Sequence, residues 1–242
     1  MNRQAQAVVL FLVGGAMLHA GFTDLYLRYV KAGLRPLLLA AGFVLIAAAV
    51  ATVWYERRGA QDERGEQDGH GHGHVHREPR VSWLLVLPLF ALVLVAPPAL
   101  GSYSAMRTGM ALQKPFGFPA LPAGNPLPIG VVDYAGRAVY DHGHSLAGRR
   151  FELTGFVALD GDGEPYLTRM VLNCCAADAQ PVKVGLTGRI PPILEPDTWL
   201  DVVGTYTGKR GKDPVNGSVI PFVVVSGARV VKAPSDPYES PE

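Results

Sequence analysis

The chain has 242 residues, a formal net charge of +1, 48% hydrophobic and 18% charged residues. Near-neutral charge and the lack of a basic patch interleaved with aromatics argue against nucleic acid as a partner, and two adjacent cysteines, Cys174 and Cys175, rule out the disulfide framework of small secreted domains. The charged share is below the ~25% of a typical soluble domain, and the apolar excess sits almost entirely before residue 104.

Three apolar stretches divide residues 1–104, over residues 8–27, 34–54 and 81–100. Each approaches the ~20 residues a helix needs to cross ~30 Å of hydrocarbon. The first has only Arg3 before it and is followed at once by a second apolar stretch, so it reads as a retained span rather than a cleaved signal peptide. His19 and Asp24 interrupt it; Asp24, beside Tyr26 and Arg28, reads as a helix end at the interface. Gly14, Gly15 and Gly21 offer a small-residue face for close helix packing. With the N-terminus inside, Arg3, Arg57, Arg58, Arg64, Arg77 and Arg80 face the cytoplasm, against Arg28, Lys31, Arg35, Arg107 and Lys114 outside. That bias puts a multi-pass protein in the cell membrane with its C-terminal domain extracytoplasmic.

Residues 55–80 form a polar loop with no apolar face, expected to lack a fold. Within it His70, His72, His74 and His76 alternate with other residues. Imidazole is a common ligand for zinc, copper and nickel, and a flexible His-x-His run can wrap one ion. The alternative is a low-complexity linker with incidental histidines.

Residues 105–130, rich in proline and glycine, read as a semi-rigid linker. From Val131 to residue 233 short β runs alternate with turns: residues 150–159, the turn Asp160–Gly163, then 166–174, a run from Pro181, a run from Trp199, and 219–233 as one or two strands. About five strands in ~100 residues suit an OB-like small barrel. Gly155 and Gly204 sit inside strand patterns, where a bulge or tight bend is expected. The polar, proline-rich tail, residues 234–242, is expected to fray. The predicted fold class is therefore membrane α-helices followed by a mainly-β soluble domain.

Cys174 and Cys175 lie in MVLNCCAADAQPV, with Asp178 after a turn of small residues. If a strand runs through both cysteines they point to opposite faces; if it ends at Asn173, both can turn to one site. Two thiolates, a carboxylate and a histidine, with His142 or His144 from the DHGH run as candidates, would suit zinc. Plain packing of one thiol, or a strained vicinal disulfide, are the other readings.

The order of parts, with Gly155-Phe156-Val157, Tyr166 to Met170, Cys174 to Ala179, Pro181-Val182, Trp199 and Val203-Gly204, resembles the YcgQ-like family of bacterial membrane proteins, a family of permease subunits carrying a domain of unknown function. The resemblance covers most of the chain, and the CCAADA run is its specific part. It implies a multi-spanning permease as partner and supplies no chemistry. The leading expectation is an accessory subunit of a two-component membrane permease, in contact with membrane lipid, whose β domain binds or docks. The alternative is a membrane-anchored metal-handling protein, with zinc as the ion and His70, His72, His74, His76, Cys174, Cys175 and Asp178 as ligands. With no CxxC, no nucleophile elbow, no phosphate loop and no dinucleotide fingerprint, enzymatic activity is not expected.

Overall fold

The computed structural model describes residues 3–62 and 98–239, together with Ala91 and Val95. The histidine tract, His70 to His76, lies outside the described residues, as does nearly all of the third apolar stretch. The chain divides into two compact units, residues 1–26 with 32–98, and residues 27–31 with 99–242.

In the first unit, helix α1 spans Arg3–Phe22 and helix α2 spans Arg35–Asp62. Segments of both, Gln4–Phe22 and Ala32–Arg58, are long and apolar enough to cross a membrane. The two pack through glycine. A Cβ on Gly14 would meet the Gly42 carbonyl at 3.0 Å, and one on Gly21 would meet Leu39 at 2.7 Å. Gly15 has nothing within 4 Å, so the expected small-residue face is Gly14 and Gly21, answered by Gly42 on α2. Arg35 Nε donates to the Gly21 carbonyl at 2.9 Å, tying the end of α1 to the start of α2. Asp24 lies beyond α1, exposed at the start of a 3-10 turn over Asp24–Arg28. Helix α2 runs eight residues past the expected end at Trp54, to Asp62, so residues 55–62 of the expected loop are helical.

The second unit is a β barrel. Helix α3 (Ser102–Arg107) is followed by strand β1 (Leu127–Pro128), helix α4 (Val131–Tyr140), then β2 (Arg150–Leu159), β3 (Pro165–Val171), β4 (Gln180–Gly188), β5 (Trp199–Lys212), β6 (Val219–Val230) and β7 (Tyr238–Glu239). The order is β1-β2-β5-β6-β4-β3-β7, and an additional β2–β3 pairing closes β2 to β6 into a five-stranded barrel. Within the five-stranded barrel neighbours are antiparallel except β4 and β6, which run parallel; the short flanking strands β1 and β7 also pair parallel, with β2 and β3. That is the strand order of an OB barrel, as the spacing of the β runs predicts.

Alternation fills the barrel with Leu153, Val157, Leu167, Val184, Leu200, Val202, Ile220 and Val223. Gly204 sits at a register shift in the β5–β6 ladder, and a Cβ on Gly155 would meet the Thr168 carbonyl of β3 at 2.8 Å. Both glycines therefore answer the expected barrel bends. Residues 219–233 give one strand, ending at Val230.

Three expectations are corrected. The β domain opens with a helix: Val131, Tyr134, Ala135 and Ala138 share one face of α4 and are buried in the barrel core, and Tyr134 Oη donates to the Phe222 carbonyl at 2.9 Å. That spacing is helical, but glycine and β-branched residues weakened its local signal. Residues 105–130, expected to be a semi-rigid linker, pack against the barrel as part of the domain. Met110 and Leu127 are buried, the Ala111 amide donates to the Pro181 carbonyl at 3.1 Å, and Tyr140 Oη donates to the Leu112 carbonyl at 2.7 Å. The tail does not fray up to Glu239. Strand β7 pairs parallel with β3, Met170 opposite Tyr238, and Tyr238 is buried.

Candidate functional site

Strand β3 ends at Val171, three residues before the first cysteine. Leu172 is buried and anchors the exit; the chain then turns through Asn173–Ala176, with a 3-10 turn over Ala176–Asp178, before entering β4. The two cysteines thus escape strand alternation and turn to one place. Their sulfurs stand 3.7 Å apart, and the Cys174 thiol donates to Asp178 Oδ2 at 2.9 Å. The same carboxylate accepts the Asn173 amide at 3.0 Å and the Cys174 amide at 2.9 Å, so Asp178 is held from the backbone. Ala176 and Ala177 leave room for this short return.

A second segment pins the cysteine backbone. Val30 forms an antiparallel bridge with Cys175; the Lys31 amide donates to the Cys174 carbonyl at 3.1 Å, and the Ala176 amide donates to the Tyr29 carbonyl at 2.7 Å. These bonds lie on both sides of Cys175 and orient its backbone.

The ligand atoms of Cys174, Cys175 and Asp178 all lie within 4.8 Å of one another. Cys174 is exposed and Cys175 half-buried, and both are free thiols. The hydrogen bond to Asp178, reinforced by Cys175, pushes the Cys174 thiol up to about 11. Reciprocally, the Cys174 thiol and amide bonds lower the Asp178 carboxyl below the usual range. Neither His142 nor His144 joins this group. His142 Nδ1 lies 3.2 Å from an Arg210 nitrogen, and His144 Nδ1 lies 2.6 Å from the Asp141 carbonyl. Arg169, the nearest cation in sequence, turns away, with Nε 3.2 Å from Glu239.

Residues 134–239 match the family model of the DUF1980 C-terminal domain. The matched stretch starts within α4, takes in the whole closed barrel and the cysteine turn, and ends on β7 at Glu239. No function is assigned to that family. No curated protein and no solved structure matches the chain significantly.

Three charged groups escaped the sequence reading. Lys183 on β4 is fully buried against Asp213 at 2.7 Å. Glu239 reaches the start of α4, accepting from the Val131 and Val132 amides at 3.1 and 2.9 Å. The signal for Lys183 was a cation between Val182 and Val184, but a strand half-exposed by alternation would leave it in water. A cleft lined by Glu152, Thr154, Arg169, Asp201 and Glu239 offers no free carboxylate: Arg229 bridges Glu152 and Asp201, and Glu239 is engaged as above. Among the described residues, the cysteine turn is where adjacent ligand atoms are open to solvent.

Proposed function

We propose that the chain is an accessory subunit of a two-component membrane permease, anchored by its apolar helices, with the barrel as an extracytoplasmic binding or docking module. The observation that carries this reading is the apolar surface that α1 and α2 leave exposed among the described residues. Only 22% and 11% of the apolar windows of α1 and α2 are buried, and Phe11, Phe22, Leu37, Phe43 and Val44 are exposed. Lipid or neighbouring helices must cover such surface, and so few spans enclose no pathway by themselves. The resemblance to permease subunits supports the choice of a multi-spanning partner. The Val30–Cys175 bridge supports the topology: it ties the loop between the two spans to the barrel, and a third crossing over residues 81–100 would put both on one side of the membrane.

Gentle detergent extraction and pull-down are expected to recover a multi-spanning protein in near-stoichiometric amount. Repeated recovery of the chain alone, with the permease co-expressed, overturns the subunit reading. A reporter fused after Glu242 should be active only outside the cytoplasm; activity of a cytoplasm-only reporter there reverses the topology.

A second reading, a membrane-anchored metal-handling protein, is favoured by the clustering of Cys174, Cys175 and Asp178. No catalytic role is proposed for this turn. Metal analysis of the purified full chain tests it, with about one equivalent of zinc expected and a metal-free, metal-refractory protein overturning it.

A further inference from the structure

From the geometry of this turn we infer that Cys174, Cys175 and Asp178 form a three-ligand site for a zinc-class cation, open at its fourth position and built to pass the ion on. The inference rests on the metal-handling reading and assigns it an ion class and a coordination.

Two thiolates bound at ~2.3 Å to one tetrahedral zinc stand about 3.8 Å apart. The sulfurs of Cys174 and Cys175 are already 3.7 Å apart. The peptide between them therefore needs little rearrangement, and the Tyr29–Lys31 segment holds the Cys174 carbonyl and the Ala176 amide on either side of Cys175. Asp178 is nearer than a bound carboxylate would be. Its Oδ2 lies 2.9 Å from the Cys174 sulfur, a hydrogen-bond distance, whereas two ligands of one zinc, sulfur and oxygen, stand about 3.5 Å apart. The ion replaces the S–H···O bond and the carboxylate swings outward slightly. Asn173 and Cys174 amides keep it oriented, as second partners of metal ligands do.

The step balances without an oxidant. Two S–H bonds break, their protons pass to solvent, two zinc–sulfur bonds form and water leaves the hydrated ion. Two thiolates and one carboxylate carry three negative charges against two on the cation, so the fourth position suits a neutral ligand such as water or an incoming imidazole. Soft sulfur donors select zinc over magnesium or calcium, which prefer all-oxygen shells. Structural zinc sites are closed by four protein ligands, whereas sites that keep three leave the ion accessible. The exposure of Cys174 places that position toward solvent.

The test uses the reduced full chain in detergent, with cobalt(II) as a spectroscopic substitute for zinc, in parallel with a variant lacking residues 69–77, which removes His70 to His76. The expected result is one cobalt per chain with charge-transfer absorption of two thiolates, retained in the deletion variant, shifted on adding imidazole, and lost within seconds to a chelator. Cys174→Ser should halve the charge-transfer band, and Asp178→Asn should weaken zinc binding, because a neutral amide oxygen replaces a charged ligand. Metal bound without thiolate absorption, and lost with residues 69–77, would overturn this site while leaving metal handling to the histidine tract. A thiolate spectrum indifferent to imidazole and chelator would mean a closed site and overturn the open one. Failure of the full chain to bind either metal would sink both readings. The charge-transfer band of the unsubstituted chain decides even if a variant fails to fold.

Discussion

Replacing Asp213 with alanine is expected to destabilise the barrel by about 3–5 kcal/mol, the cost of breaking a buried ion pair from one side. Asp213 and Lys183 are fully buried and 2.7 Å apart. The Asp213 carboxylate does more than neutralise Lys183: it accepts the Met110 amide at 3.2 Å, the Val215 amide at 2.8 Å and the Asn216 amide at 3.3 Å. Lys183 Nζ also donates to the Thr108 carbonyl at 3.3 Å. The pair thus joins β4, the β5–β6 turn and the segment entering the barrel. Alanine would leave an ammonium in the core with one carbonyl for company and three amides unpaired. Lys183→Met should cost less, because the carboxylate keeps its three amide donors and the methionine stem fills the space. Burial raises the Asp213 carboxyl, but its hydrogen bonds, that of Lys183 foremost, more than offset this and hold it below the usual range. A carboxyl depressed on folding contributes stability that is present above about pH 4 and lost as pH falls through its folded value. The gap between the parent and Asp213→Ala should therefore be full at neutral pH and shrink in acid. Denaturant titration followed by Trp199 fluorescence, with Trp54 and Trp83 changed to phenylalanine, measures both. Equal losses for the two single substitutions would refute the assigned roles.

Glu239→Ala is expected to cost about 3 kcal/mol, and truncation after Pro237 more. Helix α4 begins after Gly130, which offers no side-chain cap. Glu239 supplies one from the far end of the chain, with its two oxygens on the Val131 and Val132 amides. It also faces the Arg169 guanidinium, whose side chain is 9% exposed. Alanine removes a cap worth about 1 kcal/mol and strands a nearly buried cation. Glu239→Gln keeps acceptor and shape while losing charge, and should cost about half as much. Truncation adds the loss of Tyr238, buried on β3, with Oη accepting the Leu100 amide at 3.1 Å and donating to the Arg28 carbonyl at 2.9 Å. Burying a large apolar side chain is worth roughly 2 kcal/mol. Because the Leu172 amide donates to the Glu239 carbonyl at 3.2 Å, truncation should also raise hydrogen exchange from Leu172 to Cys174. Unchanged exchange there, with the barrel intact, would show that β7 does not support the cysteine turn.

Patterns carried by neighbours in the chain were legible in the amino acids alone. The apolar length of α1 and α2, the period-two strands of the barrel, the Asp160–Gly163 turn and the bends at Gly155 and Gly204 each follow from the residues of one continuous segment. So did the suspicion attached to Cys174, Cys175 and Asp178, because small residues and a turn separate them. Tertiary structure decided what depends on distant partners. Whether the two cysteines diverge or converge turned on β3 ending at Val171, a length set by pairing with β4 and β7. Lys183 could be buried because the segment near Thr108 and the turn at Asp213, 75 and 30 residues away, supply its acceptors. Glu239 became a helix cap 108 residues from the amide it meets. Spacing along a chain reports which face a side chain takes, while the partner that makes a buried charge or a tail strand stable is chosen by closure of the barrel, which brings together groups that no local pattern relates.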